Sequence, residues 1–199
     1  MQDFWKNLKM FLWLSVLTGI LYPCIITGIA YLTMPAKAGG SLVISHGKIV
    51  GSELIAQKIV GEGYFWPRPS AIDYKPLPSG GSNLGPTSAA LKKAVDERKA
   101  ALIQTHHLQA NAAIPSDLLF ASASGLDPHI SLPAAYFQIS RVLQARGIEP
   151  EAGRAAVKKM IENAASGRSL GFIGERYVNV LLLNLALDEH APKLTPLHP

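Results

Sequence analysis

The sequence predicts an α+β protein: one N-terminal transmembrane helix followed by a single mixed α/β extracytoplasmic domain. Three observations carry this. No charged residue occurs in the 27 positions from Met10 to Ala36, which Lys9 and Lys37 bracket. Short extended segments flank His46-Gly47, a hairpin signal. From residue 88 onward, capped helical stretches alternate with turn residues.

The uncharged run reads MFLWLSVLTGILYPCIITGIAYLTMPA. As a helix it would reach about 40 Å, against a hydrocarbon core of roughly 30 Å. Ala36-Lys37-Ala38 has the look of a leader cleavage site, but a leader's apolar region spans only about 7–15 residues, so the run reads as an uncleaved anchor. Pro23 precedes Cys24 where a lipid-attachment site needs a small residue. A mid-helix proline frees a carbonyl, and Thr18 and Ser15 are the hydroxyls expected to meet it. Gly19 and Gly28, with Thr27 and Ala30, form a small-residue surface suited to packing against another membrane helix. Trp5, Trp13, Tyr22 and Tyr31 supply interfacial aromatics. Lys6, Lys9 and the α-amino group precede the span with only Asp3 opposing, while Lys37 alone follows it before Lys48. This bias places the N-terminus in the cytoplasm and the domain outside. The chain divides into a short cytoplasmic segment (1–9), the span (10–36), one domain (37–189) and a flexible tail (190–199) with three prolines.

Composition excludes several classes. The single cysteine, Cys24, lies in the span and rules out an internal disulfide. The net charge of +5 is scattered, with no basic run interleaved with aromatics, so nucleic acid is not a partner.

In order, Ser41–Ser45 and Lys48–Val50 read as a hairpin, and Ser52–Val60 as a short helix. Residues 61–87, rich in Gly, Pro and Ser, read as a long ordered loop, a kind that is more often functional than idle. Thr87 or Ser88 caps a helix to about Gln104, with Leu91, Val95 and Leu102 on one face. Lys92–Asp96 and Lys93–Glu97 pair along it at i,i+4. Ser131 and Pro133 open a second helix that Gly147 closes, with Ala135, Ile139 and Val142 inward. Pro150 opens a third, ending at Ser166-Gly167. Tyr177–Asp188 fits a buried strand or a helix, and its length and leucine content favour a helix.

Catalytic motifs are few. Ser79-Gly80-Gly81-Ser82-Asn83-Leu84-Gly85 lacks the Lys-Ser/Thr of a phosphate loop and reads as a tight structural loop. There is no Gly-x-Ser-x-Gly elbow. Ser124, Asp127 and His129 crowd one segment and define an alternative, a membrane-anchored envelope hydrolase. Hydrolase triads, however, gather residues from distant segments. His106 and His107 are adjacent and point to different helix faces, a poor metal geometry. No metal site and no catalytic residue is assigned.

Several blocks are too particular to be generic. They are Gly51-Ser52-Glu53-Leu54-Ile55-Ala56-Gln57, Tyr64-Phe65-Trp66-Pro67-Arg68-Pro69-Ser70, Ser79 to Pro86, and Ala121-Ser122-Ala123-Ser124-Gly125-Leu126-Asp127-Pro128-His129-Ile130-Ser131. Gln138 with Arg141-Val142, Gly171-Phe172-Ile173-Gly174-Glu175, Val178-Asn179-Val180 and Asn184 to Asp188 follow. In this order, behind a span containing Tyr22-Pro23, the chain resembles the C-subunit family of the bacterial Kdp potassium-transporting ATPases over almost its whole length. The departures are Ala113-Ile114-Pro115 and Ser140.

The resemblance implies a non-catalytic subunit of an ATP-driven potassium uptake complex in the bacterial inner membrane. Its partners would be a channel-like subunit, a P-type ATPase subunit and a small single-span subunit. It implies a role in assembly and coupling, described in the family as raising the ATPase subunit's affinity for ATP. No tightly bound cofactor is implied, and ATP would be met through the complex, with Gln138 as the nucleotide-contact candidate. The residue types suited to partner interfaces are Gly19, Pro23 and Gly28 in the span and Tyr64, Phe65, Trp66, Arg68, Ser82, Asn83, Asp127 and His129 in the domain.

Overall fold

The first helix, α1 (Gln2–Val16), carries Asp3, Lys6 and Lys9 in its first half and becomes almost wholly apolar from Met10, and it runs through a π-helical segment (Leu17–Leu21) into α2 (Tyr22–Thr33). The computed structural model describes residues 1–168 and 170–190 and divides into two units, Met1–Val43 and the chain from Ile44 onward. The continuous helix Gln2–Thr33 is long and apolar enough to cross a membrane. It starts earlier than the uncharged run and stops sooner, because Met34 leaves helical geometry before Pro35. The π segment ends two residues before Pro23, and the Tyr22 N–H reaches back to the Leu17 carbonyl. Such a bulge eases the clash between a proline ring and the preceding turn. Thr18 does not serve the freed carbonyl as expected: its hydroxyl donates to Leu14 O at 2.7 Å. A short helix, α3 (Pro35–Ala38), follows.

The hairpin β1 (Leu42–Ser45) and β2 (Lys48–Ser52) forms as the sequence indicates. His46 and Gly47 both adopt positive φ, the requirement of its two-residue turn. Ser52–Val60 is not a helix. Its polar groups are drawn elsewhere: the Leu54 N–H goes to Ser52 Oγ, the Ala56 N–H to Leu126 O, and Glu53 O accepts from Asn179. Residues 61–87 contain no helix or strand.

The helix α4 (Ala89–Thr105) begins at Ser88, whose Oγ accepts from the Leu91 N–H. A one-turn helix, α5 (Ser116–Leu119), and a strand, β3 (His129–Ser131), precede α6 (Leu132–Ala145), capped by Ser131. The next helix, α7 (Pro150–Ala164), ends before Ser166, since Ala165–Ser166 form a strand, β4. The ambiguous stretch is both things: a strand β5 (Tyr177–Asn179), then α8 (Val180–His190). The expected flexible tail lies, beyond His190, outside the described residues.

The strands form an antiparallel sheet in the order β3-β5-β4, with Ile130 opposite Val178 and Ala165 opposite Val178 on the other side. The α6 helix packs on α7, and α7 on α8. Ile130, Ile139, Val142, Leu143, Ile161, Val178, Leu183 and Leu187 make the core, and Phe65 enters it from the long loop. Each large side chain so buried contributes about 1.5–3 kcal/mol.

Candidate functional site

Residues 62–66 pass from a turn at 62–64 into a stretch that belongs to no helix or strand, so their backbone groups need other partners. Side chains of α6 and α8 supply these. Asn184 Oδ1 accepts from the Phe65 N–H at 2.8 Å, and its Nδ2 donates to Phe65 O at 2.9 Å. Gln138 repeats this one residue on, accepting from the Trp66 N–H at 2.7 Å and donating to Trp66 O at 3.1 Å. Arg141 donates to the carbonyls of Glu62 and Tyr64 and to Gln138 Oε1, and Arg146 Nε donates to Gly63 O at 2.7 Å.

Two stacked cations lock this strap. The Arg141 guanidinium lies 3.8 Å from the centre of the Trp66 ring, and that of Arg146 lies 4.8 Å from the Tyr64 ring. Arg146 pairs with Asp188 at 2.7 Å, which also accepts from the Tyr64 hydroxyl. Burial, then the Asp188 charge, raises the Tyr64 pKa. Burial lowers that of Arg141 to about 10, so it remains a cation at neutral pH, yet its hydrogen-bond acceptors are all neutral. One is His106 Nε2 at 3.2 Å, and the imidazole also sits edge-on to Trp66 and against Phe137. Burial, then the charges of Arg141 and His107, push His106 down to about 4.

The strap leads to a surface cleft of about 390 Å³, lined by Arg68, Asp127, His129, Glu175, Arg176 and Tyr177 among others. Arg68 Nη1 meets Asp127 Oδ2 at 3.2 Å, both side chains being under one-third exposed. Asp127 Oδ1 accepts from the His129 N–H at 3.0 Å, and Asp117 accepts from the Ser131 N–H at 2.8 Å. These two carboxylates occupy the outward N–H groups of the edge strand β3 and so block pairing with another strand there. The His129 ring packs against Tyr177 at 4.4 Å. Arg68 Nε is buried and has no hydrogen-bond partner among the described residues. The cleft therefore offers a guanidinium, an imidazole and carboxylates to an incoming polar group.

Beside it, the two glycine loops interlock. The Gly80 N–H donates to Ser124 O at 3.0 Å, and the Ser122 N–H to Pro69 O at 3.2 Å. Ser82 and Asn83 remain exposed at the tip.

The proposed interface residues thus separate. Phe65 and Tyr64 are buried in the domain, and Trp66 is half-buried beneath Arg141. Arg68, Asp127 and His129 meet at the cleft. In the anchor unit, a Cβ at Gly19 or Gly28 would meet nothing within 4 Å, and Pro23 is exposed. Gln138 is 0 % exposed, and its carboxamide is engaged by Trp66, Ala134 and Arg141, so a nucleotide could reach it only if this arrangement opened. The hydrolase alternative finds no support: Ser124 Oγ accepts from the Leu126 N–H, and among the described residues no hydrogen bond joins it to His129.

Arg141, Arg146, Asn184, Asp117 and Asp188 were not candidates from the sequence. Their signal was present: Gln138 and Arg141 lie i,i+3 on the apolar face of α6, and Asn184 interrupts a leucine run.

The family described as "KdpC: K+-transporting ATPase, c chain" matches residues 4–189. A protein of Leptospira interrogans named "Potassium-transporting ATPase KdpC subunit" is 48 % identical over 182 residues, 92 % of this chain and 91 % of its own. Proteins of the same name from Geobacter sulfurreducens and Polaromonas naphthalenivorans are 46 % and 47 % identical, covering 96 % and 95 % of this chain and 100 % and 95 % of their own.

Proposed function

The chain belongs to the KdpC family, the c chain of K+-transporting ATPases, and from this premise we propose that it is a non-catalytic subunit of a potassium-transporting ATPase complex that promotes assembly and coupling. The observation that carries this is the single family match running through both the membrane-length helix and the domain, from residue 4 to 189. The anchor then belongs to the working protein. The basic flank before the helix supports a bacterial inner-membrane orientation with the N-terminus inside and the domain outside. The open glycine faces of the anchor pack on membrane helices of the partners, the ATPase, channel-like and small single-span subunits.

The outer domain docks through the rigid surface around Arg68, Asp127 and His129 and the exposed tip at Ser82 and Asn83. The strap fixes this surface, because every peptide group from Phe65 to Trp66 is clamped on both sides. Any effect on ATP affinity is exerted through the partner subunit, given that the Gln138 carboxamide is occupied within the domain.

Co-expression of the partners with a chain lacking residues 1–36 tests this. Loss of the co-purified complex and of K+-stimulated ATP hydrolysis is expected. Full activity with the truncated chain would overturn it.

A further inference from the structure

The hairpin β1–β2 turns its bulkiest side chains outward. A two-residue turn sets Ser45 opposite Lys48 and Ile44 opposite Ile49, so the two isoleucines form a cross-strand pair on one face. They are 66 % and 63 % exposed, and Leu42, on the same face of β1 as Ile44, is 53 % exposed. Val43 and Val50, on the other face, are half-buried. A two-stranded ribbon with an uncovered apolar face is marginal in water and marks a contact surface.

Charge and chain length select what covers it. Asp3 and Glu53 are consecutive acidic residues, and the 49 positions between them carry Lys6, Lys9, Lys37 and Lys48 but no carboxylate. The membrane-length helix ends at Thr33 and β1 starts at Leu42. The stretch between is folded, with the Gly39 N–H on Pro35 O and the Ser41 N–H on Ala36 O. Fully extended it would span at most about 30 Å, and folded it spans less. A cationic segment with an exposed apolar face, tethered this closely to a lipid-embedded helix, matches the chemistry of phospholipid phosphates above acyl chains.

We infer that Leu42, Ile44 and Ile49 lie in the headgroup–acyl boundary of the bilayer that holds the chain's own anchor, with Lys37 and Lys48 on lipid phosphates. The hairpin is then a second, interfacial membrane contact. This rests on reading Gln2–Thr33 as a span.

The test uses the full chain in a Cys24→Ser background, with Ile44→Cys or Ile49→Cys carrying an environment-sensitive fluorophore. It is reconstituted alone and within the assembled complex, in vesicles of phosphatidylcholine and phosphatidylglycerol. Ser45→Cys gives a second reporter, and Val60→Cys, an exposed position outside the hairpin, serves as control. Blue-shifted emission at residues 44 and 49, quenched about twofold or more by a shallow spin-labelled lipid while residue 60 is not, is expected. A chain that floats with vesicles but keeps its hairpin labels in a water-like, lipid-unquenched state overturns the hairpin inference alone. So does shielding of the labels from lipid and aqueous quenchers alike in the complex, which would assign the face to a protein partner. A chain that does not float with vesicles overturns the anchor reading and this inference together.

Discussion

Gln138 on α6 and Asn184 on α8 grip consecutive peptide groups of one strap, Trp66 and Phe65, each through the same two-point carboxamide contact. Both side chains are fully buried, so the pair replaces a missing strand neighbour inside the core. Removing either leaves a buried N–H and C=O without partners, at about 1–3 kcal/mol per group. Gln138→Ala and Asn184→Ala should each destabilise the chain by about 2–4 kcal/mol in denaturant unfolding. Because they hold adjacent peptides, the double variant should fall short of the summed effects. Full stability of Gln138→Ala with a selective loss of nucleotide affinity in the complex would refute this role.

The strap also marks where sequence reasoning stops. The hairpin, α4 and α6 were legible because their signals are local: a His46-Gly47 turn, a Ser88 cap and a Ser131 cap. Ser52–Val60 was not, since the Ala56 N–H goes to Leu126, seventy positions on. The β3-β5-β4 sheet was missed for a related reason: its strands are two or three residues long and too short to show a period. At the site, Arg68, Asp127 and His129 were interface candidates by residue type and resemblance alone; that they line one cleft rests on contacts across about sixty positions, which no local pattern carries. Gln138 was legible only as a helix residue, because its partner Trp66 lies 72 residues away.

Acid should loosen the strap through His106. Its folded pKa is about 4 against an ordinary 6.5, so the unfolded chain binds the proton more readily. The stability this site contributes is present in full above pH 6.5, falls as pH drops from 6.5 towards 4, and is flat below. Allowing for its partial exposure, the loss is on the order of 1–2 kcal/mol. His106→Gln keeps an acceptor for Arg141 but cannot titrate. Unfolding free energies of the two proteins across this window should converge as pH falls, and parallel curves would exclude His106 as the source.

The loop interlock predicts unequal glycines. A Cβ at Gly125 would lie 2.6 Å from Ile72 Cγ1 and 2.9 Å from Gly80 O, at a φ of +71°. One at Gly85 would meet nothing within 4 Å. Gly125→Ala should cost about 1–3 kcal/mol, through overpacking and strain, while Gly85→Ala should be neutral or slightly stabilising. Thermal melts of the two variants side by side check this; equal midpoints would show that the loops are not in register as described.

Arg68 separates stability from docking. Its pair with Asp127 is partly exposed, so Arg68→Ala should cost the isolated chain about 1 kcal/mol or less. The same side chain is 28 % exposed and lines the cleft, so an oxygen of a docked partner would meet the open edge of its guanidinium. Lysine retains the charge but lacks the planar fork of donors. Arg68→Lys and Arg68→Ala should therefore both reduce recovery of the assembled complex by about tenfold, with melting temperatures close to wild type. Quantitative co-purification from membranes measures the first effect and calorimetry the second. If Arg68→Lys assembles normally while Arg68→Ala does not, charge alone mediates the contact. If both assemble normally, the cleft is not where the partner sits.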